Sequence, residues 1–482
     1  MCKMLNMKKV LKSVFLILVV ISAGFLLSGC TVSEEKIAEY NKIVSEADVL
    51  IEEKEYTPAI EKLSNALNLI PSKPEALEGI VDIFILKNRL EDATKLIDES
   101  GVELNDKDRA KLYVSIGDAQ YFVKNYERAL YNYQLAKGMD SDNREASFGM
   151  AKSYIQRGKI ENAKSMLKAN YIGDMLIESK LLLSYIEAIN DFEEAKGLVE
   201  DIEPGDQWRE AYTEWISVLD SLNTDELYND TKLGKQYLDV GYPYLTIALL
   251  EPDLDKMDEY IDGLYILGKA YYEYGEYDKS IELLENSSSL SDLNQYIYWV
   301  LARDYYLKDD INNSMSYYDS AISYGGKKAE ETLYIEYLDI LVKENLTEKA
   351  LEVMRKAELL FKKEWVYMYY MDIYSLRGDN EKFEYYMNGI EYDELDTEQK
   401  ANYLYSKGRY LIKDAQLEEA QRSIDIFWEL NKYDPRYNLL SAQLSFEKGQ
   451  LDESRDYAKK AIEYDLNGVV SQDAQKLLAQ ID

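Results

Sequence analysis

Residues 267–285 read LGKAYYEYGEYDKSIELLE. Leu267, Gly268 and Tyr271 recur at helical spacing before Gly275, and Tyr277, Ser280 and Leu284 do so after it. Apolar residues three and four apart mark one face of an amphipathic helix, and glycine between two such runs marks a turn. The stretch therefore reads as two antiparallel helices. The same pattern returns on a 34-residue beat. Aligned on the small residue that closes each second helix, units begin near residues 40, 74, 110, 144 and 176, then near 227, 261, 295, 331, 364, 401 and 435. A period of this length predicts a solenoid, in which each unit buries its apolar face only against its neighbours. The expected fold class is all-α, a right-handed α-solenoid of about twelve helix-turn-helix repeats.

Other units repeat the pattern. Residues 110–143 carry Gly117, Tyr126, Ala129, Tyr133 and Ala136, and residues 144–177 carry Ala151, Tyr154, Ala163 and Leu167. Residues 295–328 carry Ala302, Tyr305, Ile311, Ser314, Tyr318 and Ala321, and residues 401–434 carry Gly408, Leu417, Ala420 and Ile424. The first unit has Ala47, Ala59, Leu63, Ala66 and Pro71. Small residues at fixed positions let two helices approach closely while large ones fill the gaps between units. This arrangement resembles the tetratricopeptide repeat, and the resemblance covers about nine-tenths of the chain. The units near 176, 331 and 364 match less well, and Phe383 stands where alanine is usual.

One interval breaks the beat. Between 176 and 227 lies one repeat plus a surplus, Glu210 to Glu226, in which Trp215, Ile216 and Leu219 keep helical spacing. Glu203-Pro204-Gly205-Asp206 just upstream is a turn signal. The reading is an extra helix at 210–226, either a joint between a five-repeat array (40–209) and a seven-repeat array (227–468) or one divergent repeat with a longer helix. Residues 469–482 are expected to form a final helix that caps the exposed apolar end.

The N-terminus is a targeting segment. Lys8, Lys9 and Lys12 precede a short apolar run, Val14 to Leu27, which closes on Leu27-Ser28-Gly29-Cys30. This order resembles the lipobox of bacterial lipoproteins. The resemblance implies that residues 1–29 are removed as a signal peptide and that Cys30 carries lipid, with 30–39 as a short tether. Two or more acyl chains anchor a protein firmly where one does not. About ten residues reach only about 35 Å when extended, which would keep the repeats close to the bilayer. Thr31 lacks the acidic character that marks inner-membrane retention in Gram-negative bacteria. The Lys-, Ile-, Asn- and Tyr-rich composition points to a Gram-positive envelope and an extracytoplasmic location.

Composition excludes several chemistries. The net charge is −34, and loss of the signal removes four lysines and no acid. Such a surface repels phosphate backbones, so nucleic acid is not an expected partner. The chain has no histidine, which takes away the commonest general base and a major metal ligand. Cys2 falls in the signal and Cys30 in the lipobox, leaving no disulfide and no thiol pair for zinc. No glycine-rich phosphate loop is present. Asp140-Ser141-Asp142-Asn143 lacks the glycine and terminal glutamate of a calcium loop and reads as an inter-repeat turn. No metal, no cofactor and no enzymatic activity are expected.

In the resembled family the first helix of each repeat lines the inner groove. Positions two, five, nine and twelve of each unit project from one face. In successive units the ninth position is Lys235, Lys269 and Arg303, then Asp339 and Asp372, then Arg409. Around the three cations the same face supplies Tyr228, Tyr265, Tyr272, Tyr296, Trp299 and Tyr306. The expectation is an aromatic and basic stripe that binds an anionic group with flat apolar contact. The Lys and Asn positions of the clamp by which some tetratricopeptide domains seize chaperone tails are not reproduced in consecutive units. The expected role is a membrane-anchored scaffold for envelope proteins or extended peptide segments; the alternative is a surface lipoprotein that binds a soluble nutrient, glycan or peptide.

Overall fold

The computed structural model describes residues 32–481 except 101, 103, 169–175, 207, 258–259, 288–293, 362–363, 466–467 and 469. The signal segment, the lipobox residues Leu27, Ser28 and Gly29, and Cys30 lie outside the described residues. The described chain holds 26 α-helices in tandem and no strand. Two compact units divide between Leu293 and Asn294.

The first unit contains seven antiparallel pairs, from Glu34–Glu52 with Tyr56–Leu69 to Ile261–Tyr274 with Tyr277–Ser287. The second contains five, from Asn294–Leu307 with Ile311–Gly325 to Pro435–Glu447 with Leu451–Tyr464. The architecture is an α-solenoid. Its beat is written into the backbone of the turns. Lys54, Asn88, Lys124, Gly158, Gly241, Gly275, Asp309, Asn345, Gly378, Ala415 and Gly449 all have positive φ, one at each turn inside a pair except that between Glu187 and Phe192. A residue in this conformation just past a helix end lets the next amide reach back and satisfy a carbonyl of the last turn. The Asn125 amide thus donates to Gln120 O at 2.8 Å, and the Gln416 amide to Leu411 O at 2.9 Å.

Packing follows the small-and-large alternation. Ala47, Ala59, Ala129, Ala136, Ala151, Ala163, Ala302, Ala321 and Ala420 are fully buried. Tyr133, also fully buried, wedges between two first helices. A Cβ on Gly117 would lie 2.7 Å from Tyr133 Cε1, and one on Gly149 would lie 2.3 Å from its Cζ. Both positions require glycine because the ring occupies the space of any side chain. The Tyr133 hydroxyl then donates to Asp118 at 2.6 Å. Phe383, the departure from the usual alanine, is 1% exposed and stacks on Tyr410 at 4.1 Å between centroids, so the larger side chain is absorbed into the core of the second unit.

The surplus interval holds the helix Arg209–Asp220. It is fastened within the first unit rather than marking the division between units. Trp215 is fully buried, donates from Nε1 to Ser184 Oγ at 2.8 Å and meets Tyr185 edge-on at 4.5 Å. At the other end Ser471–Ile481 packs Ala474 near Leu439 and Ala461, and Leu477 near Ala442 and Ala458. That helix covers apolar surface that the last pair would otherwise expose.

Two substitutions check this packing. Ala129→Leu should overpack its helix contact and lower unfolding stability by about 1–3 kcal/mol, as measured by urea titration. Ala415→Gly should raise stability by up to about 1 kcal/mol, because the left-handed backbone at Ala415 is strained for a residue with a Cβ.

Candidate functional site

The stripe residues fall on first helices of both units. In the first unit, Lys235 lies on Glu226–Asp239 and pairs with Asp239 one turn along at 3.5 Å. Lys269 lies on Ile261–Tyr274 and pairs with Glu273 at 3.6 Å. Tyr228 is exposed, with the Lys232 ammonium 5.6 Å from its ring centre. Tyr265 and Tyr272 are half-buried on the same helix as Lys269.

In the second unit the stripe side chains bind the next repeat. Tyr296 donates to Glu330 at 2.8 Å. Arg303 lies over the Trp299 ring at 4.4 Å and donates from Nε to Glu336 Oε1 at 2.7 Å, with its Nη2 on the other oxygen. Trp299 Nε1 donates to the same carboxylate at 3.2 Å, and so does the Tyr318 hydroxyl. Tyr306 accepts from Lys343 at 2.8 Å. Burial pushes the Glu336 carboxyl up, but the hydrogen bonds from Arg303 and Tyr318 outweigh it and hold the group below the usual carboxylate range. The three cations of the stripe therefore each meet a carboxylate of the chain itself, and Arg303 is the most fully engaged.

The ladder continues down the same face. Tyr369 donates to Asp339, Ser406 donates to Asp372 at 2.7 Å, and Arg436 reaches back to Glu398 at 2.7 Å and to Asn402. Between these rungs opens a cavity of about 280 Å³. It is bordered by Ile335 and Asp339 of Glu331–Lys343, by Trp365, Met368, Tyr369 and Asp372 of Glu364–Arg377, and by Tyr403 and Ser406 of Thr397–Lys413. The ninth-position acids thus come together at one opening. Burial raises the carboxyls of both Asp339 and Asp372. The Tyr369 hydrogen bond opposes the shift at Asp339, while Ser406 and the Arg409 charge oppose it at Asp372. Trp365, only 6% exposed, borders the cavity, and its indole N–H has no acceptor among the described residues. Spacing pointed to the acids, since Asp339 and Asp372 share the ninth position. Nothing local pointed to Trp365, whose lack of an acceptor depends on helices a full repeat away.

A second cavity of about 420 Å³ lies among Leu417–Asn431, Pro435–Glu447 and Leu451–Tyr464. Its polar groups answer one another: Lys448 donates to Gln421 at 2.7 Å, and Gln421 donates to Asp425 at 2.9 Å. Among the described residues, no helix is long and apolar enough to cross a membrane.

No protein-family model matches the chain. It is similar to a tetratricopeptide-repeat-containing protein of Methanocaldococcus jannaschii, 24% identical over 392 residues, which cover 76% of this chain. The chain spans 65% of that relative's length. Among solved structures it is similar to a tetratricopeptide repeat protein from Parabacteroides merdae (12% identity, 53% of this chain and 98% of that one, TM-score 0.41). It is also similar to yeast Tom70 (14% identity, 92% and 96%, TM-score 0.36).

Arg303→Met should cost about 1–3 kcal/mol at pH 7, since it strips a partly buried carboxylate of its charged donor. Lys235→Met, at an exposed one-turn pair, should cost below about 0.5 kcal/mol. The Arg303 effect carries a pH signature. A depressed carboxyl contributes its stability fully above its ordinary value of 4.5 and loses it as pH falls through the lower folded value. Urea midpoints of wild type and Arg303→Met should therefore differ at pH 7 and converge as pH falls below about 4.

Proposed function

We propose that the chain is a tetratricopeptide-repeat protein that serves as an interaction scaffold, held by lipid at Cys30 on the outer face of a bacterial cytoplasmic membrane. The observation that carries the scaffold reading is the run of paired helices within each unit, and in the second unit the first helices share one face. That face is built from aromatic and charged side chains and opens into a cavity with unmet polar groups. Such a surface suits an extended segment of another protein. A helix array presents many shallow contacts in series, and their sum gives affinity without a deep pocket.

The membrane part rests on the order of Lys8, Lys9 and Lys12, the apolar run and Leu27-Ser28-Gly29-Cys30. A tethered scaffold is consistent with a strongly acidic surface, which is repelled by anionic headgroups and so stands off the bilayer except at its anchor. The role is non-catalytic. Without histidine, and with the cysteines confined to the first 30 residues, acid–base and thiol chemistry would fall to carboxylates and tyrosines that serve as rungs between repeats. In the first unit, Lys235 and Lys269 with Tyr228, Tyr265 and Tyr272 offer a separate binding face for an anionic segment of a partner.

Two measurements test this reading. Cells fed a clickable palmitate should label the wild-type chain and not Cys30→Ala, which should accumulate as the uncleaved precursor; equal labelling of both would remove the anchor. In-cell cross-linking with mass spectrometry should capture a reproducible set of envelope proteins. Lys235→Glu with Lys269→Glu should reduce that capture without lowering the thermal midpoint. A wild type that captures no protein would remove the scaffold.

A further inference from the structure

The cavity between the first helices Glu331–Lys343, Glu364–Arg377 and Thr397–Lys413 carries a chemical demand that the chain does not meet. Two carboxylates, Asp339 and Asp372, border it one repeat apart. Each takes one hydrogen bond through Oδ1, from Tyr369 and Ser406 respectively. Among the described residues neither Oδ2 receives a donor, and neither carboxylate is in an ion pair. Trp365 on the same wall presents the opposite need, a buried indole N–H with no acceptor among the described residues. Other buried polar atoms lack partners, but none of them borders either of the two cavities described above. A buried donor without an acceptor costs roughly 1–3 kcal/mol, so the site favours whatever supplies one.

We infer that this cavity receives the ammonium or guanidinium of a lysine or arginine side chain from an extended peptide, between Asp339 and Asp372, while a backbone carbonyl of that peptide accepts from Trp365 Nε1. This rests on the scaffold reading and gives it a ligand class.

Three features favour such an occupant. The first is charge: two acids side by side, Asp339 exposed and Asp372 half-buried, attract a cation and reject an acid, and the net −34 of the chain draws basic segments from a distance. The second is size. About 280 Å³ falls below the range of roughly 300–1,000 Å³ usual for small-molecule sites, and suits one side chain rather than a free cofactor. The aromatic walls, Trp365, Tyr369 and Tyr403, provide flat surfaces for an aliphatic stem and ring faces for its cationic head. The third is the tryptophan donor itself, which asks for a neutral acceptor beside the cation, as a peptide backbone offers and a free amine does not. Three helices at spacings of 8–10 Å span about 20 Å, the reach of about six extended residues. Burial also raises both carboxyls, as expected of acids that lack a strong counter-ion, although Arg409 partly offsets this at Asp372.

The test uses the full chain in detergent against an array of eight-residue peptides. The peptides come in matched sets that differ only at a central Arg, Lys, Gln or Glu. The Arg and Lys members should bind about tenfold or more tighter than their Gln and Glu counterparts. Asp339→Asn with Asp372→Asn should abolish that preference. Both substitutions keep an acceptor for Tyr369 and Ser406, so the thermal midpoint should not fall. Trp365→Phe, which keeps an aromatic ring and loses the N–H, should weaken the Arg members by about fivefold. Binding that ignores charge, prefers Glu or survives the double substitution overturns the ligand class and leaves the scaffold standing. Equal affinity for arginine amide alone overturns the peptide part. An array that binds nothing overturns the ligand class; if in-cell cross-linking also captures nothing, the scaffold falls with it.

Discussion

The fit of large side chains against glycine and alanine on neighbouring helices is the constraint on which everything else rests. Tyr133 fills the space between Gly117 and Gly149 so closely that neither position tolerates a Cβ. The same relation recurs where Leu284 lies 2.4 Å from the Cβ position of Gly268, and where Leu440 lies 2.8 Å from that of Gly408. Because each repeat is locked only to its neighbours, stability accumulates along the chain rather than in one core. The close approach also fixes which residues of consecutive first helices face each other. That geometry brings residues 33 to 37 apart within hydrogen-bond reach, as in Arg303–Glu336 and Tyr306–Lys343.

Those cross-repeat contacts decide what the first-helix face can offer a partner. Where a cation meets a carboxylate of the next repeat, a ligand must displace an existing ion pair to be held. Arg303 is the extreme case, with a stacked indole beneath it and a shared carboxylate beside it. Where two acids follow each other at the ninth position, the rungs are made by neutral hydroxyls, Tyr369 and Ser406, which satisfy one oxygen each and neutralise nothing. The second unit thus moves along its face from closed ion pairs to an open acidic pocket. Specificity of this kind comes from what is left unpaired rather than from the total number of charges.

The period was fully legible in the sequence because small residues at fixed intervals are a local signal. The spacing of Trp215 and Leu219, both buried, marked a helix in the surplus interval, but that helix runs from Arg209 to Asp220 rather than over 210–226, and Glu226 already begins the next one. Its role was less legible. Trp215 is tied to Ser184 and Tyr185 inside the first unit, and the division of the chain falls at 293/294, where composition shows no break. The site was legible only in outline. Position nine picked out Lys235, Lys269, Arg303, Asp339 and Asp372 as residues of one face. Their partners lie a turn or a repeat away, however, and a single sequence carries no mark of which carboxylate answers which cation. The missing acceptor of Trp365 is a property of three helices packed together, and no motif encodes it.

The most direct test of the central claim is site-specific photocross-linking in living cells. A benzoylphenylalanine at Met368, on the cavity wall, would be compared with one at Leu359, which is 84% exposed on a second helix. Adducts at 368 should map within a few residues of a lysine or arginine in the partner, with few or none at 359. Adducts of equal yield at both positions, or adducts at 368 centred on acidic segments, would contradict it.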